Sequence, residues 1–299
     1  MTKRILIQAP SGLKKDVLKV YKKLENEGNE VFVSANPCYG ACDIDYYAKQ
    51  VLKADLILHF GHAPLANMEY HGVEFVETKL NYDVGACIRN ALRILKKEER
   101  VGLLATIQHL HMLGKAKEIL EKNGKKVVIP KAKGKIAYDG QIIGCYFEHA
   151  KDVENMVDAF VVIATGIFHA LGLALAVDKK VIVADPAKNE AKCLDELKFR
   201  FLKKRYACIE KVKQAERIGI VVSVKPGQFM LDEARKIKKM LEDKGKDVYL
   251  IVADEISNEI ENFGLDAYII VACPRIVIDD AGRFNKPIIG CWEVNELLS

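Results

Sequence analysis

Three stretches of the chain set out apolar and polar residues in the same order. They read "RILIQAPSGLKKDVLKVYKKLENEGNEVFVSA" from Arg4, "RVGLLATIQHLHMLGKAKEILEKNGKKVVIPKA" from Arg100 and "RIGIVVSVKPGQFMLDEARKIKKMLEDKGKDVYLIVA" from Arg217. Each opens with a basic residue and an apolar run, crosses a polar loop, and continues with apolar positions at helical spacing. Each helical pattern stops at a glycine, Gly28, Gly124 or Gly245, where a C-terminal cap belongs, and a second strand follows. A third apolar run comes after an Asp in every copy ("ADLILHF", "VDAFVVIA", "LDAYIIVA"). A fourth comes later ("VEFVETK", "KKVIVADP", "KPIIGCWE"). The runs are continuous rather than alternating, which predicts parallel strands covered on both faces. The pattern predicts an α/β fold of three pseudo-threefold-related Rossmann-like units, about 1–95, 96–212 and 213–299, with a basic connector helix near 195–213.

Composition adds limits. The 299 residues are half apolar and 29% charged, ample for several small cores. The 46 basic and 41 acidic residues leave a formal charge of +5, spread along the chain. That bias is too weak to argue for a nucleic-acid role. The densest basic run, Lys203-Lys204-Arg205, reads as a solvated helix face. Met1-Thr2-Lys3-Arg4 leads straight into "ILIQAP" with no apolar leader region. The apolar stretch from Ala159 to Val177 has a membrane-spanning length, but Thr165, Gly166 and His169 interrupt it. A buried strand, a glycine turn and a helix fit it better. A cytoplasmic protein with no membrane partner is expected, and its eight cysteines are expected to be mostly reduced.

Ligands of parallel α/β units sit beyond the carboxyl ends of the strands. Cys42 lies past the second strand of unit one, Cys145 downstream of the matching strand of unit two, and Cys273 at the end of the third strand of unit three. Three units around a common axis could bring these thiols together. Three thiolates suit a four-iron four-sulfur cluster with one iron free of protein ligands. The alternative is structural cysteines beside a pocket of other purpose. Cys87, Cys193, Cys208 and Cys291 read as buried small hydrophobes. Cys38 and Cys42 begin like a radical S-adenosylmethionine motif, but Asp45 stands where its third cysteine would be. No C-x-x-C pair occurs, which argues against a zinc ribbon.

Taken together, "YGACD" at Tyr39 to Asp43, "HFGHA" at His59 to Ala63, Gly144-Cys145, "KPGQ" at Lys225 to Gln228 and "CPRIVIDD" at Cys273 to Asp280 resemble the archaeal diphthamide synthase family. These motifs run through all three units in order. The resemblance implies a homodimer and a [4Fe-4S] cluster held by Cys42, Cys145 and Cys273, one from each unit. It implies reductive cleavage of S-adenosylmethionine to a 3-amino-3-carboxypropyl radical, an unidentified electron donor, and elongation factor 2 as protein substrate. The fragment adds to the imidazole of one histidine and methylthioadenosine is left. No catalytic side chain beyond the cluster is implied.

Cleavage at that bond requires protein donors for the amino acid end of the co-substrate. Ser223, Lys225, Pro226, Gly227 and Gln228 are the candidates, between a strand and a helix N-terminus suited to anions, with Arg275 in support. For Lys225-Pro226-Gly227 a plain turn is the alternative. His62 and His169 could be site residues or structural ones. Two other readings stand beside the family: a quinolinate synthase-like enzyme, also built of three units, and a repeat-built α/β binding protein with incidental cysteines.

Overall fold

The computed structural model describes residues 2–298. Its first unit runs β1 (Arg4–Gln8), α1 (Val17–Asn26), β2 (Glu30–Val33), α2 (Tyr46–Leu52), β3 (Leu56–Phe60) and β4 (Val73–Val76). Helix α3 (Gly85–Ile94) leads into β5 (Arg100–Ala105), α4 (Leu113–Lys122), β6 (Lys126–Val128), α5 (Glu148–Lys151), β7 (Ala159–Ile163), α6 (Phe168–Ala176), β8 (Lys180–Asp185) and β9 (Glu190–Cys193). Helix α7 (Asp195–Gln214) leads into β10 (Arg217–Ser223), α8 (Leu231–Glu242), β11 (Asp247–Ala253), β12 (Ala267–Val271), α9 (Arg275–Ile278), β13 (Ile288–Gly290) and α10 (Val294–Leu298).

Each unit forms its own sheet with one strand order: β2-β1-β3-β4, β6-β5-β7-β8 with β9 added, and β11-β10-β12-β13. The α/β architecture of three small, mostly parallel sheets is thus the one the apolar pattern predicts. The antiparallel edge strand β9 is the addition. Every residue of the central strand β7 is buried, because β5 and β8 flank it and helices cover both faces. No helix among the described residues is long and apolar enough to cross a membrane. The run from Ala159 divides into β7 and α6 around the bend at Thr165 and Gly166.

Two local devices recur because the sequence repeats them. Gly28, Gly124 and Gly245 all take a left-handed φ, 88°, 78° and 80°, just past α1, α4 and α8. The next N–H reaches back to the helix in every case, from Asn29 to Leu24 O (3.2 Å), from Lys125 to Leu120 O (3.1 Å) and from Lys246 to Leu241 O (3.1 Å). These bonds satisfy the orphan carbonyls at the helix ends. The Asp before each third strand serves the start of each first strand. Asp55, Asp158 and Asp266 accept the N–H of Arg4 (2.8 Å), Arg100 (2.8 Å) and Arg217 (2.9 Å).

Asp158 also accepts the Arg100 side chain and the N–H of Glu99. The bond to the Arg100 guanidinium, with those to backbone, holds its carboxyl down at about 2. A free aspartate titrates near about 3.9. The bonded carboxylate therefore stabilises the fold fully above about pH 4, and that contribution is lost as the pH falls through the folded value. Asp158→Asn should lower the melting temperature by a few degrees at most near neutrality, since the pair is partly exposed. The difference from the parent should vanish in acid, which thermal melts across a pH series would read.

Packing departs from the expected pattern at four places. Helix α3 lies before the expected boundary near residue 95, yet Cys87, Ile88 and Ala91 are buried with Val101, Leu103 and Val161 of the second sheet. Its amphipathic face fits that sheet because α3 enters it directly through Leu95, itself buried. The connector α7 likewise buries Ile209 and Val212 against the third sheet. Arg205 is buried rather than solvated: its guanidinium forks onto Glu293 (2.8 and 2.7 Å) and donates to Ile288 O (2.8 Å), while Lys203 and Lys204 are exposed. Cys193 is exposed, not core, because β9 is the outer strand of its sheet. Cys87 is buried, whereas Cys208 and Cys291 are half-buried at the third core.

Candidate metal centre

The carboxyl ends of the strands carry the three cysteines. Cys42 lies in the loop between β2 and α2, which the buried Gln8 at the end of β1 fastens down. Gln8 Nε2 donates to Asp43 O (2.6 Å) and its Oε1 accepts the N–H of Asp45 (3.2 Å). From the third unit, Gly227 N–H donates to Cys42 O (2.9 Å). A Cβ on Gly227 would come 2.5 Å from Cys42 Cα, so only glycine allows this approach. Cys145 follows a segment that runs beside the end of β5, where Ile142 N–H donates to Ala105 O (2.8 Å). Phe168 fills the space a side chain on Gly144 would take. Cys273 follows β12 by two residues and its carbonyl accepts the N–H of Ile276 (3.2 Å) at the start of α9.

All three cysteines line one cavity of about 250 Å³, together with Cys38, His62, Gln141, His169 and Arg275. Three thiols on one wall, with no carboxylate among the lining residues, suit an iron–sulfur group. Burial pushes the Cys42 thiol up to about 11 and the Cys273 thiol to about 12, with the charge of the neighbouring cysteines adding to both. Burial also raises Cys145. Three half-buried thiols whose ionisation is opposed by burial, and at Cys42 and Cys273 also by their neighbours, would be favoured as thiolates by a positive group between them, which an iron–sulfur core supplies. The donor set therefore fits such a cluster. Gln228 Nε2 already points at Cys42 Sγ (3.4 Å), and hydrogen bonds to ligand sulfurs tune a cluster.

A second cavity, of about 240 Å³, adjoins the first and shares Tyr39, Cys273 and Arg275 with it. Ser223, Lys225 and Gln228 are on its wall. Pro226 is exposed and Gly227 faces Cys42, so those two are not on either wall. Lys225 is not free to meet a carboxylate. Its buried Nζ binds Asp43 (2.8 Å), Glu255 (2.8 Å) and Asp254 (3.4 Å). The N-terminus of α8 begins at Leu231, beyond the turn, and Asp232 and Glu233 occupy its first turn. Its dipole is already compensated, so the helix end is not the anion site the spacing suggested. Arg275 remains exposed at the junction of the cavities, 5.3 Å from the Phe168 ring centre and 3.1 Å from Asp279.

Residues 9–299 match the family model described as "Putative diphthamide synthesis protein". The chain belongs to the diphthamide synthesis family. The 2-(3-amino-3-carboxypropyl)histidine synthase of Pyrococcus horikoshii is 36% identical over 99% of this chain and 86% of its own. That of Methanocaldococcus jannaschii is 33% identical, over 95% of this chain and 81% of its own. The crystal structure of Dph2 from Pyrococcus horikoshii superposes with a TM-score of 0.92 at 36% identity, over 99% of this chain and 86% of that one. A second structure of that protein, with a 4Fe-4S cluster, gives 0.91.

Family membership sets aside the quinolinate synthase-like and binding-protein readings of the chain. Several residues of this family member's site escaped sequence reasoning. Gln8 and His59 are buried polar residues at or next to the ends of β1 and β3, among buried positions that are otherwise apolar. His62 and His169 both reach the three-cysteine cavity, and burial pulls each imidazole down to about 4. Asp43 and Glu255 could not be found by pattern, since their partner Lys225 is remote in sequence from Asp43 and in a different loop from Glu255.

Proposed function

We propose that this protein transfers a 3-amino-3-carboxypropyl group from S-adenosylmethionine to the imidazole of a histidine in elongation factor 2. The observation that carries the reading is the convergence of Cys42, Cys145 and Cys273, one from each unit, on one cavity. The family's synthases and the cluster-bearing relative support it. A bound [4Fe-4S] cluster would supply the one-electron reduction of the sulfonium. In the transfer the bond between sulfur and the γ-carbon breaks and methylthioadenosine leaves, the four-carbon aminocarboxypropyl fragment bonds to an imidazole carbon of the protein histidine, and that carbon's hydrogen departs as a proton with return of the one electron. A homodimer in the cytoplasm and an external electron donor complete the proposal.

The side chains around the second cavity have defined work in this scheme. Arg275 offers a guanidinium to the co-substrate carboxylate. Asp254 and Glu255, on the same wall, face the cavity as acceptors for its ammonium group. Gln228 and Ser223 line the passage between these charges and Cys273, and Gln228 also steadies the sulfur of Cys42. The neutral His62 and His169 add no charge beside the thiolates.

Anaerobic reduction with labelled S-adenosylmethionine and elongation factor 2 tests the reading. Chromatography should give methylthioadenosine and a labelled protein, and deoxyadenosine as the main product would overturn the reading. Loss of a hydrogen bond to a charged carboxylate costs about 1.5–3 kcal/mol, or about ten- to a hundredfold in affinity. Arg275→Ala should weaken co-substrate binding by that factor while its iron content stays at the parent level. An unchanged affinity would remove Arg275 from the site.

A further inference from the structure

On the edge of the three-cysteine cavity stands a donor group that makes no bond to co-substrate or cluster in the transfer reaction proposed above. Cys38, His59 and His62 bring one ligand atom each within 4.8 Å of the others, and they are the one such group of His, Cys, Asp and Glu among the described residues. Two of the three are buried and the third is half-buried.

The hydrogen-bond network fixes how His59 is presented. Gln8 Nε2 donates to Asp43 O and its Oε1 accepts the N–H of Asp45, so the oxygen end of the amide is assigned. That oxygen lies 3.2 Å from His59 Nδ1, which must therefore carry the proton. His59 Nε2 is left as a lone pair, 2.9 Å from His62 Nδ1 and 3.9 Å from Cys38 Sγ. A ring N–H tied to a fixed acceptor, with the other nitrogen free, is how proteins orient a metal-binding imidazole. Burial, with the nearby charges of Asp43 and Cys42, pushes the Cys38 thiol up to about 12 and outweighs the N–H of Gly40 at its sulfur, so a bound cation would be what holds the thiolate.

We propose that Cys38, His59 and His62 form a second, mononuclear site for a divalent transition-metal ion such as zinc, with its fourth position open to the three-cysteine cavity. One thiolate and two imidazoles, with no carboxylate, select zinc-like ions over magnesium or calcium. Tetrahedral bonds of about 2.3 Å to sulfur and about 2.0–2.1 Å to nitrogen would set sulfur and nitrogen about 3.6 Å apart and the nitrogens about 3.3 Å apart. The Cys38–His59 and His59–His62 spacings differ from these by a few tenths of an ångström, and Cys38 and His62 lie within 4.8 Å of each other. Cys38 gives up its thiol proton on binding, and His62 moves its proton from Nδ1 to Nε2. Cys38 and His62 both line the cavity that holds Cys42, Cys145 and Cys273, so the open position faces that space.

The test uses the full chain, purified anaerobically with its iron, and a titration with Co²⁺ followed by competition with Zn²⁺. One Co²⁺ per chain should bind with a thiolate charge-transfer band and tetrahedral absorption. A triple variant, Cys42→Ser with Cys145→Ser and Cys273→Ser, should still bind it. Cys38→Ser should lose the charge-transfer band and weaken binding by about a hundredfold or more, while keeping its iron and its circular dichroism. His62→Gln should weaken binding to a similar extent and keep the band at saturation. The proposal is overturned if the parent binds no Co²⁺ beyond its iron, or if Cys38→Ser binds it unchanged. It is equally overturned if binding disappears with the triple variant alone, or if Cys38→Ser loses iron, because Cys38 would then belong with the three cysteines.

Discussion

Replacement of Cys42, Cys145 or Cys273 by alanine is expected to leave a protein almost free of iron and sulfide. Each thiol is the contribution of its own unit to the shared cavity, and no other cysteine of units two or three lines it. Loss of one removes a third of the protein ligands and leaves an iron open to solvent and oxidant. The remaining pair cannot close the gap, because each is fixed by its own loop: Cys42 by Gln8 and Gly227, Cys145 by the segment beside β5, Cys273 by the start of α9. Cys193→Ala and Cys208→Ala are the controls, one at an exposed sheet edge and the other bonded to Ile288 O in the third core. Iron, acid-labile sulfide and visible absorption after anaerobic purification would decide it. Retention of a full complement of iron in Cys145→Ala would sink the ligand assignment.

Lys225→Met should destabilise the protein by about 3–5 kcal/mol, because it leaves a buried carboxylate without its counter-charge. Lys225 and Asp43 are both nearly inaccessible, with side chains 7% and 8% exposed. Burial works against the Lys225 charge, but its bonds to Asp43 and Glu255 outweigh that and hold the ammonium firmly protonated. Without it, the N–H of Tyr39 (3.2 Å) is the one donor left to the Asp43 carboxylate among the described residues. The same side chain ties the loop of the first unit to that of the third, next to Cys42, so iron loading should fall as well. Addition of Asp43→Asn to Lys225→Met should recover part of the stability, since the unpaired charge disappears. Denaturant titration of the two variants would read both effects. A loss no larger than that of Lys203→Met, which changes an exposed lysine, would show that the pair contributes little.

Much of this protein is written in short-range pattern. Continuous apolar runs specify buried parallel strands, because only a strand covered on both faces needs apolar residues at every position. Glycines 28, 124 and 245 end three helices because a left-handed φ is cheap for glycine alone. The Asp ahead of each third strand follows from the bare N–H at the start of each first strand. From such features the sequence determined three α/β units and put a cysteine beyond a strand end in each.

Partnership between remote side chains was decided only by the tertiary structure. Arg205 sits in a basic run like any solvated face, yet Glu293, far along the chain, draws it inside. Lys225 has the look of an anion-binding lysine, but Asp43, Asp254 and Glu255 already occupy it. Cys38 gives no signal as half of an incomplete local motif, and only the fold sets it beside His59 at the end of β3 and His62 just past that strand. Periodicity records which face of an element is buried, because burial repeats every two or every three to four residues. It carries no record of what lies across the interface, since that depends on how separate elements are brought together in space.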